Sequence, residues 1–191
     1  TTLFRSLGER IAAIAPMSEP AMSFFCQSGT ESVEGALKLA RFVTGRPRFI
    51  GFLGGFHGRT LAMAELTDRP AFREGLPLTG RVLHVPFFDS KDPQSTQHSL
   101  AALEAHLRRY PGQIAGMGFE LVQGEGGFNT APREFFVALM GRCREAGLAV
   151  ANTLSAMINL ALLLFALRKK LGRLEMTGLP RDISVLVLAA A

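Results

Sequence analysis

Three short stretches of the chain combine glycine with polar or aromatic residues next to apolar, strand-like runs. They are SGTE at residues 28–31, GGFHGRT at 54–60 and QGEGG at 123–127. Glycine lets a backbone approach a ligand closely, the start of a helix offers free N–H groups to an anion, and an aromatic ring offers a face for stacking. Each of these residue types could contact a ligand: the helix start an anion, and the aromatic residue a flat ring.

The first stretch has the residues of a helix start. Ser28 and Glu31 have the spacing of a capping box, and the apolar residues that follow at helical spacing predict a helix over 32–44. Gly45 and Pro47 would end it. Such a start can bind a phosphate, although every capped helix has the same free N–H groups.

The other two stretches each follow an apolar run. In the second, Phe56 could stack on a ring, and the alternative is a plain turn with this side chain buried. In the third, a strand ends in Glu120, and Gln123 and Glu125 follow in a glycine-rich loop before a helix near Pro132. Ligands of parallel sheets bind at the carboxyl ends of strands. The two acids are therefore candidates for binding an amine or tuning a cofactor, although acids in loops are usually solvated.

The elements that must position these stretches alternate between strands and helices. Strands are predicted at 22–26, 48–53, 81–85, 114–120 and 148–151, and helices at 32–44, 99–110 and 133–146. This alternation predicts an α/β fold with a mostly parallel sheet flanked by helices.

Composition excludes several classes of protein. The net charge of the 191 residues is +5, but the arginines are scattered among acids, which argues against nucleic-acid binding. Two cysteines do not make a disulfide framework and favour a reducing cytoplasm. The four histidines lack metal-ligand spacing, so no metal site is expected.

The character of the chain changes near residue 150, so we expect residues 1–150 to be one domain segment and 151–191 an atypical apolar tail. Residues 146–167 contain no charge, and Arg168, Lys169 and Lys170 follow. That length could cross a bilayer. Four polar residues dilute the run, however, and its beginning is typical of a strand, so a membrane span is the less favoured interpretation.

The three stretches, in this order and spacing, resemble the class III aminotransferases, which include the ornithine, acetylornithine and 4-aminobutyrate enzymes. The resemblance covers about residues 1–150 and implies part of the large domain of fold type I. It implies pyridoxal phosphate as cofactor and transfer of an amino group from an omega-amino acid or ornithine-like donor to a 2-oxo acid. It also implies that the intact protein is a homodimer and that its other partners are small molecules, an amino acid and a 2-oxo acid.

Cofactor residues follow from the resemblance. The backbone N–H groups of Gly29 and Thr30, after Ser28, match the positions that hold the cofactor phosphate. Phe56 matches the aromatic residue that stacks on the pyridine ring, and His57 lies beside it.

Substrate residues follow in the same way. Arg59 matches a position that in some members contacts a substrate carboxylate. Glu125 matches the glutamate that pairs with an arginine of the carboxyl-terminal domain, and Glu120 and Gln123 complete that loop. Leu121 stands where the family usually has proline.

Two residues that transamination needs are not found in the sequence. The family has an Asp-Glu-x-Gln stretch after the strand GLAV, and a lysine further on that forms a bond to the cofactor. Here GLAV runs into ANTLSAMINL, no aspartate occurs between Glu145 and Asp182, and no lysine follows Lys170. We therefore predict no catalytic residue and an inactive fragment. The alternative is a non-catalytic pseudoenzyme or interaction subunit with a buried or membrane-associated tail.

Overall fold

The structure, a computed structural model, describes residues 2–14 and 22–152, which belong to two compact units. In the first unit, α1 spans Thr2–Ile14 and the segment 22–26 is irregular. The prediction of a strand at 22–26 is wrong. Its residues pack locally instead: the Ser23 hydroxyl donates to the Gly8 carbonyl at 3.0 Å, and Phe25 meets Phe4 edge to face.

The second unit, residues 27–152 of the described chain, is an α/β domain. Its helices are α2 (Gly29–Thr44), α3 (Leu61–Leu66), α4 (Ser95–Arg109) and α5 (Arg133–Glu145), with a 3-10 turn at Pro70–Phe72. Its strands are β1 (Arg48–Phe52), β2 (Val82–Val85), β3 (Ile114–Phe119), β4 (Val122–Gln123), β5 (Asn129–Thr130) and β6 (Ala149–Asn152).

Four strands form a parallel sheet in the order β2-β1-β3-β6, and β4 and β5 form a small antiparallel hairpin. All six residues of β3 are buried, as expected for a central strand of a parallel sheet that is covered on both faces. The predicted α/β fold with a parallel sheet and flanking helices is confirmed.

Helices cover both faces of this sheet. Val33 and Leu37 of α2 and Met63 of α3 pack with Phe49 of β1 on one face. On the other face, the buried cluster contains residues of β1, β3, α4 and α5, among them Phe52, Leu103, Met117, Phe135 and Leu139. Neighbouring residues of β1 thus point to opposite faces, as strand geometry requires.

Two of the three predicted helix starts differ from those observed, whereas α5 begins at Arg133 as predicted. Helix α2 begins at Gly29, three residues early, because Ser28 caps it. Helix α4 begins at Ser95 rather than Ser99: the Ser95 hydroxyl accepts from the Asp89 N–H at 2.8 Å, while the Ser99 hydroxyl donates to the carbonyls of Pro86 and Ser95. A serine within a helix can bond back to the preceding turn, so its presence did not mark the helix start.

Helix α5 contributes a thiol to the core. Cys143 is fully buried, its Sγ lies 3.8 Å from the Sδ of Met117, and burial raises the pKa of the thiol to about 11. It is a packing residue and not a nucleophile.

The predicted strand at 148–151 is present as β6, but most of the predicted tail, from residue 153 on, lies outside the described residues. None of the helices in the described ranges has the length and apolarity needed to cross a membrane.

Candidate functional site

The order of the strands places the second and third stretches side by side. The chain passes from β1 to β2 on one side and then returns to β3 on the other side of β1. In doubly wound sheets, the carboxyl ends of two such strands border the ligand crevice. GGFHGRT follows β1 and QGEGG follows β3 after a short turn, so both stretches lie at this crevice.

The two glycine-rich stretches interlock. Gln123 is 1% exposed, and its Nε2 donates to the Leu53 carbonyl at 2.8 Å. A Cβ on Gly126 would lie 2.7 Å from the carbonyl oxygen of Gly54, closer than real Cβ atoms approach. The backbones therefore meet at a distance that only glycine allows.

A carboxylate links the two stretches a second time. The backbone N–H of Phe56 donates to Oε2 of Glu120 at 3.0 Å. Burial raises the pKa of the Glu120 carboxyl and the charge of Glu125 adds to this, while bonds from the N–H groups of Phe56 and Gly124 act in the opposite direction. Glu120 thus fixes the backbone that carries the Phe56 ring.

The start of α2 joins the same site. Gly58 has a φ of +128°, and a Cβ there would lie 2.4 Å from the Oγ1 of Thr30, so the second stretch packs directly on the first. The Ser28 hydroxyl accepts from the Glu31 N–H at 3.2 Å, and Glu31 accepts from the Gln27 N–H at 2.8 Å. The predicted capping box is present, with Gln27 as the second donor.

The N–H groups that an anion would use remain free. Within the described residues, neither Gly29 nor Thr30 donates its backbone N–H to an acceptor. They lie in the first turn of a 16-residue helix, where the helix dipole favours negative charge. The arrangement can therefore hold an anionic group.

The aromatic part of the site is half-buried. The Phe56 ring is partly exposed, whereas His57 is 5% exposed and neither ring nitrogen has a partner among the described residues. Burial, with a contribution from His84, lowers the pKa of His57 to about 4. His57 is therefore neutral and buried, next to Phe56 in the sequence.

Two of the four residues predicted to bind a substrate are the most exposed of the site. Arg59 lies with its guanidinium carbon 4.2 Å from the centroid of the Phe72 ring, and Glu125 is exposed in its loop. The structure thus brings all nine predicted residues to one edge of the sheet. Glu120, Gln123 and the backbone N–H of His57 form hydrogen bonds to other loops there.

Sequence analysis missed Thr67, Asp68 and Phe72. The Thr67 hydroxyl accepts from the His57 N–H at 2.9 Å and donates to the Gly58 carbonyl at 3.1 Å. The Asp68 carboxylate accepts from the Gly54 N–H at 3.0 Å. These residues lie in a stretch without a motif, and only its turn-forming residues could have drawn attention to it.

Across residues 2–14 and 22–152, there is no group of three or more histidine, cysteine, aspartate or glutamate side chains that could hold a metal ion. The site offers N–H donors, an aromatic face and an arginine instead.

Comparison with known proteins explains why these three stretches occur together. The family model of the class-III aminotransferases matches residues 2–151. An acetylornithine aminotransferase of Methanopyrus kandleri is 40% identical over 140 residues, which are 73% of this chain and 33% of that protein. A 2-aminoadipate transaminase of Pseudomonas putida is 34% identical over 151 residues, covering 77% of this chain and 36% of that protein.

Solved structures share the fold. An amine transaminase from an uncultivated Pseudomonas species, with pyridoxal phosphate bound, aligns with a TM-score of 0.71 at 24% identity, over 78% of this chain and 37% of that one. The chain spans about a third of the length of the curated relatives it matches. The prediction of a partial transaminase domain is confirmed, and the chain belongs to the class-III aminotransferase family.

Proposed function

We propose that residues 27–152 form the cofactor-binding half of the large domain of a pyridoxal-phosphate-dependent transaminase. The observation that carries this proposal is the contact of three sequence-distant stretches at the carboxyl ends of β1 and β3. Gly58 packs on Thr30, and Glu120 holds the Phe56 backbone. One edge of the sheet thereby presents free N–H groups and an aromatic ring.

The described residues fit this cofactor in two respects. The N–H groups of Gly29 and Thr30 would bind the phosphate, because they are free and lie at the positive end of a long helix. The half-buried Phe56 ring would pack on the pyridine ring, with its backbone fixed by Glu120. Interlocked glycines between the two loops would keep this surface rigid.

The substrate side of the proposal concerns the exposed residues. Arg59 would bind a carboxylate of the amino donor or of the 2-oxo acid, and Glu125 would repel or admit that carboxylate according to its own pairing. The matched relatives are named for acetylornithine and 2-aminoadipate. We propose that the intact protein acts on amino acids of this kind, with a 2-oxo acid as the acceptor.

We propose that the chain alone is inactive. Bound pyridoxal phosphate supplies an electron sink for the carbon that bears the amino group. Sequence places no lysine after Lys170 and no aspartate between Glu145 and Asp182. The chain therefore lacks the family's residues for bonding to the cofactor and for holding the proton of its ring nitrogen.

The assembly and location of the intact protein are further parts of the proposal. Leu39, Phe42 and Val43 expose most of their surface on α2, as an oligomer interface would. We propose a homodimer in the cytoplasm. Sedimentation of the expressed chain tests the first part, since a strictly monomeric and well-folded chain would contradict it.

The cofactor proposal is tested by equilibrium dialysis of the chain against pyridoxal phosphate and against pyridoxal. We expect saturable binding that depends on the phosphate and weakens when Phe56 is replaced by leucine. The exposed Phe24, replaced in the same way, is the control. No saturable binding would contradict cofactor binding. A single lysine modified after borohydride reduction would contradict inactivity.

A further inference from the structure

A short segment after α3, residues 68–73, is hydrogen-bonded to the second stretch through both its backbone and a side chain. We call this segment the strap. The Asp68 N–H donates to the Gly55 carbonyl at 2.8 Å, and the Asp68 carboxylate accepts from the Gly54 N–H at 3.0 Å. Arg73 at the other end of the strap pairs with Asp68 at 3.2 Å. An ion pair thus joins the two ends of the strap, and hydrogen bonds join the strap to the turn that follows β1.

Phe72, in the middle of the strap, touches two of the site residues. Its ring centroid lies 4.2 Å from the guanidinium carbon of Arg59 and 5.4 Å from the centroid of the Phe56 ring, with an interplanar angle of 67°. The first distance is that of a cation–π contact and the second geometry is that of an edge-to-face pair. One side chain therefore connects the arginine to the stacking aromatic residue.

The contact leaves the hydrogen-bonding edge of Arg59 free. Among the described residues, no carboxylate lies within 4.0 Å of this guanidinium. A ring below the plane of a guanidinium attracts it without using its N–H groups, which can then bind a carboxylate in bidentate fashion. An acidic partner would have occupied those groups.

We infer that Phe72 is a positioning residue. It holds the Arg59 guanidinium beside the Phe56 ring, in a position where it can bind a substrate carboxylate. This inference rests on the proposed function, because it deepens the role given there to Arg59. Without the ring, the long and exposed arginine side chain would sample many rotamers and would have to be ordered upon binding. Loss of Phe72 should therefore weaken carboxylate binding through Arg59.

The geometry itself is tested without any ligand. In the NMR spectrum of the chain, the Arg59 Nε–H resonance, assigned by its loss in Arg59→Met, should be shifted upfield by the ring beneath it. Phe72→Tyr keeps the ring and should keep the shift, whereas Phe72→Leu keeps the bulk and should abolish it. An unshifted resonance in the wild-type chain would overturn the inference.

Its consequence for binding is tested with sodium glutarate, a dicarboxylate without an amino group, titrated against the chain in saturating pyridoxal phosphate. We expect Phe72→Leu to weaken glutarate binding about two- to fivefold, and Phe72→Tyr to leave it unchanged. In the Arg59→Met background, Phe72→Leu should have no further effect. A purely structural role would instead produce the same loss in both backgrounds, and that result, or an unchanged affinity in Phe72→Leu, would overturn the inference.

The failure of the inference can be told from the failure of the proposed function. A wild-type chain that binds pyridoxal phosphate in dialysis but does not bind glutarate leaves the cofactor proposal standing and overturns the role of Phe72. A chain that binds no pyridoxal phosphate, but binds glutarate with the expected dependence on Phe72 and Arg59, contradicts the cofactor proposal and supports the inference.

Discussion

The carboxylate of Glu120 accepts a hydrogen bond from the backbone N–H of Phe56, with 3.0 Å between Oε2 and N, although 64 residues separate the two in sequence. This bond joins the loop after β1 to the turn after β3. Glu120, which the resemblance places among the substrate residues, thereby also supports the backbone of the residue that carries the ring.

Replacing Glu120 by alanine leaves the N–H of Phe56 without its acceptor. We expect a loss of roughly 1–3 kcal/mol in the free energy of unfolding, the range for a buried donor left unpaired. Urea denaturation followed by circular dichroism measures it. Glu125→Ala is the matched control, because Glu125 is exposed in the same loop, and a loss as large in the control would argue against the specific bond.

The raised pKa of Glu120 has a sign that can be checked. A carboxyl whose pKa is higher in the folded state contributes stability that is fully present below its unfolded pKa and is lost as the pH rises through the folded pKa. Stability differences between the wild-type chain and Glu120→Gln should therefore change in favour of the variant as the pH rises above about 4.5. A difference that is independent of pH would contradict the shift.

His57 should act in the opposite direction. Its folded pKa is lowered to about 4 from 6.5, so its contribution to stability is present above pH 6.5 and is lost as the pH falls through 4. The shift corresponds to a maximum of about 3 kcal/mol, as an order of magnitude. Urea midpoints between pH 4 and 7 should therefore depend less on pH in His57→Gln. A profile as steep in His57→Gln as in the wild-type chain would contradict the shift.

Gly58 should not tolerate a side chain. An alanine there must adopt a φ of +128° and place its Cβ 2.4 Å from the Thr30 hydroxyl. We expect Gly58→Ala to cost about 2–4 kcal/mol of unfolding free energy and to weaken phosphate binding at the start of α2. Gly124→Ala, with nothing within 4 Å of the added Cβ, should change stability by at most about 1 kcal/mol. Equal effects would show that the close approach is not what constrains Gly58.

Gln123 should be needed for its amide and not for its bulk. Gln123→Leu keeps a buried side chain of similar size but leaves the Leu53 carbonyl, 2.8 Å from the amide, without a donor. A loss of roughly 1–3 kcal/mol is expected, measured by thermal denaturation. Gln113→Leu at an exposed glutamine is the control, and the hypothesis fails where both variants melt alike.

Sequence patterns predicted the four strands of the parallel sheet and singled out the three stretches that meet at its edge, because both leave local signals. Buried strands such as β3 are continuous apolar runs, and glycine marks close backbone approach at Gly54 and Gly126. Sequence patterns could not predict which side chains contact the residues of the site. Glu120 bonds to Phe56 and Phe72 holds Arg59 through contacts that only the folded chain creates.

The wrong strand at 22–26 has a related cause. Its apolar composition is typical of a strand, but a strand exists only where a neighbour accepts its backbone hydrogen bonds. In this structure Met22 and Phe24 are among the most exposed apolar residues of the described ranges. Apolar composition alone was therefore not enough to make residues 22–26 a strand, because they do not pair with a neighbouring strand.

The buried thiol of Cys143 can report how often the helix that covers the sheet opens. With its pKa at about 11 and its sulfur against Met117, this cysteine cannot react with an alkylating reagent while α5 lies on β3. Its modification must wait for that helix to lift from the sheet, so at high reagent concentration the alkylation rate equals the opening rate of the domain. Cys26, which is partly exposed in the other unit, is modified without that wait. The alkylation rate of Cys143, compared with that of Cys26, therefore reports how often α5 separates from the sheet that carries the site.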